Sequence, residues 1–95
     1  MVENTNSSDV LLKVKSASSA ASLAAAIANN VYSHNEITLR AIGAAAVNQS
    51  MKAVAIAQSY VGPRGQVLSC RPGFATVTMA DGEQISALIF KILVS

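Results

Sequence analysis

Apolar and polar residues alternate over two short segments in the first half of the chain, and each alternation predicts a strand. In residues 10–15, Leu12 and Val14 fall on one side and two lysines fall on the other. This period of two residues is typical of a half-buried strand. Residues 36–42, EITLRAI, have the same period and predict a second strand.

Apolar residues spaced three and four positions apart predict two helices. The first covers about residues 20–32, and serines just ahead of it offer side-chain oxygens that cap a helix N-terminus. The second covers residues 44 to about 60 and begins directly after a glycine. The stripe of this second helix that faces the core is predicted to consist of Val47, Met51 and Val54.

The second half of the chain predicts two further strands joined by a tight turn. The third strand covers residues 66–70 and 74–80, with a bulge or bend at Pro72 and Gly73 between them. Asp81-Gly82 is the strongest short hairpin signal in the chain. The fourth strand, residues 84–94, is apolar on both faces.

The predicted order β-α-β-α-β-β defines the fold class. The chain is predicted to be an α/β protein, more specifically an α+β two-layer sandwich. Two helices lie on one face of a four-stranded mixed sheet. Residues 10–95 form this single domain, and residues 1–9, MVENTNSSD, are predicted to be a disordered polar tail. A two-layer sandwich hides only one face of the doubly apolar last strand. We therefore expect another copy of the chain to cover the other face.

Composition narrows the class of protein. Apolar residues are 52% of the chain and charged residues 13%, which excludes an intrinsically disordered protein and favours self-association. No apolar stretch is long enough for a transmembrane helix, and the start of the chain does not resemble a secretory signal. The single cysteine allows no internal disulfide, so a cytoplasmic location is expected. The mildly basic net charge of +2 permits nucleic-acid binding without requiring it.

Candidate catalytic residues are few. His34 lies in a predicted polar loop, where a solvated side chain is expected, and Cys70 lies in an apolar strand, where a buried thiol is expected. Residues 62–65, GPRG, lack the length and the Lys-Ser/Thr ending of a phosphate-binding loop. We therefore expect no enzymatic activity, no metal site and no cofactor.

A polar arc on the second helix supports three interpretations. Asn48 and Lys52 are neighbours at a spacing of four residues, and Gln49 lies on the same arc. The arc is a solvated surface, or a site where Lys52 neutralises a phosphate and the amides contact sugar, phosphate or base edges. In the third interpretation the helix packs against its symmetry mate, with the amides hydrogen-bonded across the two-fold axis. The residues predicted to line an oligomer interface are Ala45, Ala53, Ile56, Leu88 and Phe90.

Basic residues outside the second helix supply the other candidate contacts. Lys15 and Ser16 precede the first helix, whose free N–H groups favour an anion, although N-capping explains the serines equally well. Arg40 and Arg71 are expected to be solvated surface bases unless the fold gathers them with Lys13 on one face. The candidate nucleic-acid-binding residues are Lys15, Ser16, Arg40, Asn48, Gln49 and Lys52.

Residues 41–57, AIGAAAVNQSMKAVAIA, closely resemble the signature helix of the stage V sporulation protein S family. Pro72, Phe74 and the Asp81-Gly82-Glu83 turn also fit, and the resemblance covers about residues 11–94. It implies an Alba-like fold with the β-α-β-α-β-β order that the residue pattern predicts. Members of that wider superfamily are small, cytoplasmic and dimeric, and they bind DNA or RNA mainly through the sugar–phosphate backbone. The resemblance implies the same properties for this chain.

Residue by residue, Gly43, Asn48, Gln49 and Lys52 match the family motif. Two features depart from related proteins: Ala17 stands where the family commonly has a basic residue, and the hairpin tip is short and acidic where Alba proteins carry a long basic arm. The resemblance implies a non-enzymatic regulatory protein that binds RNA or DNA as a homodimer or higher oligomer. The alternative is an oligomeric structural or regulatory protein that acts through protein partners in sporulation or cell-division control.

Overall fold

A computed structural model describes residues 8–95, which form four strands and two helices in the predicted order. The elements are β1 (Asp9–Val14), α1 (Ala20–Tyr32), β2 (Glu36–Ala41), α2 (Ala44–Val61), β3 (Leu68–Thr78) and β4 (Gln84–Val94). One turn of 3-10 helix, Gly62–Arg64, follows α2. Neither of the two helices is long and apolar enough to cross a bilayer. The predicted two-layer fold class is confirmed.

The four strands form one mixed sheet in the order β1-β2-β4-β3. β1 runs parallel to β2, as predicted, and β4 runs antiparallel to both of its neighbours. The pairing of β2 with β4 stops at Ala41 opposite Leu88, whereas β3 stays paired with β4 as far as Thr78 opposite Gln84. Residues 75–87 therefore project beyond the sheet as a two-stranded ribbon, called here the hairpin arm.

β3 passes through Pro72 and Gly73 without interruption, which corrects the predicted bulge. Pro72 lies opposite Phe90 and Gly73 opposite Ile89, in one continuous register. β3 is an edge strand, and an edge tolerates proline because the missing N–H is not needed on the unpaired side. At Gly73, an added Cβ would lie 3.4 Å from Cγ1 of Ile89, at the close end of ordinary van der Waals contact.

Both helices cover the same face of the sheet, and α2 does so with its smallest side chains. The buried residues of α2 are Ala46, Ser50, Ala53, Ala57 and Val61. This corrects the predicted core stripe, because Met51 is 37% exposed and Val47 and Val54 are only partly buried. Small side chains let α2 approach α1 closely, and the larger residues of α2 lie on the flank of the helix. Buried Ser50 satisfies its hydroxyl by donating to the carbonyl of Ala46 at 2.9 Å.

The amino-terminal boundary of the domain lies slightly earlier than predicted. Asp9 opens β1, and the N–H of Ser8 donates to the side chain of Asn35 at 3.2 Å. The carbonyl of Ser8 also accepts from the N–H of Glu36 at 2.9 Å. These two bonds attach Ser8 to the start of β2, so Ser8 and Asp9 belong to the domain. The rest of the predicted tail lies outside the described residues.

Candidate nucleic-acid interface

The side of the sheet opposite the helices, called here the open face, carries alternate residues of all four strands. Residues that pair across neighbouring strands point to the same face. The register therefore places two rows of side chains across the open face. One row consists of Leu11, Thr38, Lys91 and Arg71, and the next consists of Lys13, Arg40, Ile89 and Gly73.

Four bases meet on the open face as two cross-strand pairs. Lys13 of β1 lies directly opposite Arg40 of β2, and Arg71 of β3 lies directly opposite Lys91 of β4. Directly opposed side chains have Cβ atoms about 5 Å apart, and like charges at that separation destabilise a sheet. An anion bound over the open face would relieve this repulsion.

The protein neutralises these bases only in part. Lys91 Nζ lies 3.7 Å from Glu36 Oε1, and both side chains are substantially exposed. An exposed pair of this kind contributes about 0–1 kcal/mol. Within residues 8–95, no carboxylate lies within salt-bridge distance of Lys13, Arg40 or Arg71. Asp9 lies opposite Glu36 at the end of the same face, so the open face carries four bases against two carboxylates and retains an excess of positive charge.

A cavity of about 550 Å³, called here the basic cavity, opens where the open face meets the N-terminus of α2. Its walls include Lys13, Lys15, Ser16 and Arg40, together with residues 43–46. No side chain caps the first N–H groups of α2. Unbonded N–H groups and the helix dipole add partial positive charge to that of the bases. The fold thus brings Lys15, Ser16 and Arg40 together, three residues that the sequence placed in one candidate site.

The other serines before α1 serve the backbone. The side chain of Ser19 accepts from the N–H of Ser22 at 3.1 Å and caps α1. The side chain of Ser18 accepts from the N–H of Lys15 at 2.8 Å. The N-capping interpretation is thus correct for Ser19, while Ser16 is the serine that borders the basic cavity.

The polar arc of α2 lies on the helix layer, away from the open face. Asn48 and Lys52 are exposed there, and neither lines the basic cavity. The Nε2 of Gln49 donates to the carbonyl of Ser18 at 2.7 Å and ties α2 to the loop before α1. This bond gives one amide N–H of Gln49 a structural role, and the assignment of Gln49 as a ligand contact stays a prediction.

The residues predicted to line an oligomer interface differ in how far they are buried within one chain. Ala53 is fully buried and Phe90 is 6% exposed, so both lie in the core and their assignment is wrong. Phe90 is buried because it faces the helices, opposite Leu39. Ile56 and Leu88 are partly buried against the same core, and Ala45 is exposed beside the basic cavity.

Phe74 is an exposed apolar residue whose importance sequence reasoning missed. Its side chain is 80% exposed on the edge strand β3, and it borders a groove of about 370 Å³ with Val47 and Leu88. Met51 lies one turn after Val47 on the same flank of α2. We call Val47, Met51, Phe74 and Leu88 the Phe74 surface. The periodicity of the sequence does not predict the Phe74 surface, because it does not show which part of the four-stranded sheet the two helices leave uncovered.

His34 and Cys70 show no catalytic arrangement. His34 is exposed in a loop, and Cys70 is partly buried, which raises the pKa of its thiol above the ordinary value. In the part of the chain that the structure describes, no three His, Cys, Asp or Glu side chains are grouped closely enough to hold a metal ion.

The comparisons with known proteins agree with this geometry. A family model for stage V sporulation protein S (SpoVS) matches residues 10–95. The chain belongs to the SpoVS family. The resemblance inferred from residues 41–57 is therefore confirmed. Among solved structures, this SpoVS-family chain is similar to Alba from Thermoplasma volcanium, with a TM-score of 0.60 and 15% sequence identity, over 90% of this chain and 99% of that chain. That likeness shows an Alba-like fold.

Proposed function

We propose that this SpoVS-family protein is a small cytoplasmic regulatory protein that binds RNA or DNA through the sugar–phosphate backbone and catalyses no reaction. The observation that carries the proposal is that two cross-strand pairs of like charge lie on the open face, Lys13 opposite Arg40 and Arg71 opposite Lys91. A sheet that opposes like charges is less stable on its own, and a polyanion laid across it removes the repulsion. The basic cavity extends the same positive surface to Lys15.

The chemistry of the open face favours backbone contacts over base recognition. Lysine and arginine bind phosphates, which positions a nucleic acid without reading its sequence. Base stacking requires aromatic side chains, and the two rows across the described open face contain none. We therefore expect binding of many sequences with similar affinity.

The salt dependence of binding tests the proposal. Five phosphate contacts, one for each open-face base and one for Lys15, give a slope of about −3.5 in log K against log [salt] for a single strand. Between about 50 and 200 mM salt, the affinity then falls about a hundredfold. Fluorescence anisotropy with labelled oligonucleotides measures both quantities.

A double variant locates the contacts. Lys13→Gln with Arg40→Gln should weaken binding on every sequence and make the slope shallower by about 1.4 for a single strand. The single variant Lys13→Gln should make the slope shallower by about 0.7, and Lys52→Gln, which removes one charge from the helix layer, is its matched control. Binding that depends on Lys52 and is unaffected by the double variant would contradict the proposed site.

We propose in addition that the protein forms a homodimer through the Phe74 surface. Phe74 is 80% exposed and Met51 37%, and apolar side chains clustered at a surface are typical of protein interfaces. Phe74→Glu should convert the dimer to a monomer in light scattering, while circular dichroism stays unchanged. A dimer that survives this charge would exclude the Phe74 surface as the interface.

The same surface favours a second candidate function, in which the oligomer acts through protein partners. Exposed aromatic residues are enriched at the centre of protein interfaces. A failure to bind any single- or double-stranded RNA or DNA at about 50 mM salt, where phosphate contacts are strong, would favour this function over nucleic-acid binding. A pull-down that Phe74→Glu abolishes would then support it.

A further inference from the structure

We infer that the interface accepts single-stranded rather than double-stranded nucleic acid, and that Asp81 and Glu83 at the tip of the hairpin arm determine this specificity. The inference rests on the proposed function and names the class of ligand for the same site. It follows from where the two carboxylates lie relative to the five bases.

The hairpin arm forms one wall of the basic cavity and carries the two carboxylates at its tip, just beyond that wall. Val77 and Met79 of the arm line that cavity together with the bases. The N–H of Met79 donates to the carbonyl of Glu83 at 2.7 Å, and the N–H of Glu83 donates to Asp81 Oδ1 at 2.9 Å. These bonds close the turn directly beside Met79, and both acidic residues are exposed. Two negative charges are therefore held at one end of the positive surface.

The bases extend away from this acidic tip. Lys15 lies at the cavity, the Lys13–Arg40 pair follows on the open face, and the Arg71–Lys91 pair lies two residues further from the arm. A single strand is narrow and flexible, so it can contact these bases in succession while leading away from the tip. Its phosphates then meet bases without approaching Asp81 or Glu83.

A duplex cannot follow the same path. Its persistence length is about 50 nm, so it stays straight over the width of one small domain, and it carries one charge for about every 1.7 Å. A duplex seated on the basic cavity therefore brings further phosphates against the projecting arm. Like charges in contact across an interface select strongly against a ligand. The acidic tip thus excludes the stiff ligand and tolerates the flexible one.

The test compares a labelled single-stranded oligonucleotide with a duplex of equal length by fluorescence anisotropy at low salt. The wild-type protein should bind the single strand about tenfold more tightly or better. The double variant Asp81→Asn with Glu83→Gln should recover most of the duplex affinity and change single-strand affinity by less than about threefold. The asparagine keeps an Oδ1 acceptor for the N–H of Glu83, and thermal melting verifies that the turn remains folded.

A control separates specificity from net charge. Asp9→Asn removes one negative charge from the opposite end of the open face, where Asp9 lies beside Lys91, and it should raise both affinities by a similar factor because it does not lie on the hairpin arm. Equal gains for single strand and duplex in the tip variant, or a wild-type preference for duplex, would overturn the inference and leave the proposed function standing. Failure of the wild-type protein to bind either ligand would contradict the proposed function and the inference with it.

Discussion

The opposed bases on the open face imply that removing one of them stabilises the free protein. Lys13 is exposed and lies directly across from Arg40, without a carboxylate at salt-bridge distance among residues 8–95. A cross-strand charge pair contributes about 0.2–1 kcal/mol, favourable or unfavourable according to sign. Lys13→Gln should therefore raise the free energy of unfolding by about 0.5 kcal/mol. Lys13→Glu converts repulsion into attraction and should raise it by about 1 kcal/mol.

Thermal unfolding followed by circular dichroism measures this series. For a domain of this size, the expected increases in Tm are about 2–4 °C for the glutamine variant and about 4–8 °C for the glutamate variant. Both increases should shrink at about 1 M salt, where the Debye length is about 3 Å. The affinity for nucleic acid should change in the opposite direction, so that it is highest for the wild-type protein, lower for Lys13→Gln and lowest for Lys13→Glu.

The control for this series is Lys52→Gln, which removes an exposed positive charge from the helix layer. It should leave Tm within about 2 °C of the wild-type value, as is usual for surface substitutions. The reasoning fails if Lys13→Gln and Lys13→Glu both lower Tm at low salt, or if the increases do not depend on salt. Either result would mean that the two bases do not repel each other appreciably.

Three further predictions concern the packing of the domain. Gln58 donates to the carbonyl of Gln66 at 2.9 Å and accepts from the N–H of Leu68 at 2.7 Å, so Gln58→Leu should cost about 1–3 kcal/mol in urea unfolding. His34 has a φ of 60°, and His34→Gly should raise the free energy of unfolding by about 0.5 kcal/mol in the same assay, because glycine adopts this conformation without a Cβ clash. Burial raises the pKa of the Cys70 thiol, so the folded state holds its proton more tightly than the unfolded state. Stability is therefore complete below the thiol's ordinary pKa and should fall as pH rises above it; a Cys70→Ala variant that loses stability equally over this alkaline range would contradict this assignment.

Local periodicity was sufficient to predict the order of the elements. The helix at residues 20–32 has the predicted bounds, because its apolar stripe spans the segment and the capping Ser19 directly precedes it. The buried face of α2 was predicted wrongly, since large apolar side chains were assigned to the core. The core instead contains alanines and Ser50 of α2, because α2 packs closely against α1, and the pattern of a single helix does not encode that distance.

The basic face could be predicted only in part. The Asp81-Gly82 signal predicts the β3–β4 hairpin, but a two-residue turn there would pair Arg71 with Ile92; the observed turn is one residue longer and places Arg71 opposite Lys91. The pairing of Lys13 with Arg40 depends on the parallel register across a helical connection, for which the sequence gives no local marker. The polar arc of α2 was prominent in sequence because it lies in the family motif, yet the fold places Asn48 and Lys52 on the other layer of the domain.

The central claim is that the open face binds the nucleic-acid backbone. Mapping backbone amide chemical shifts by NMR during titration with a short single-stranded oligonucleotide tests it most directly. The shifts should concentrate on β1, β2 and the paired segments of β3 and β4 around Lys13, Arg40, Arg71 and Lys91, and they should decline with added salt. Shifts confined to α2 around Asn48 and Lys52, or no shifts at low salt, would contradict it.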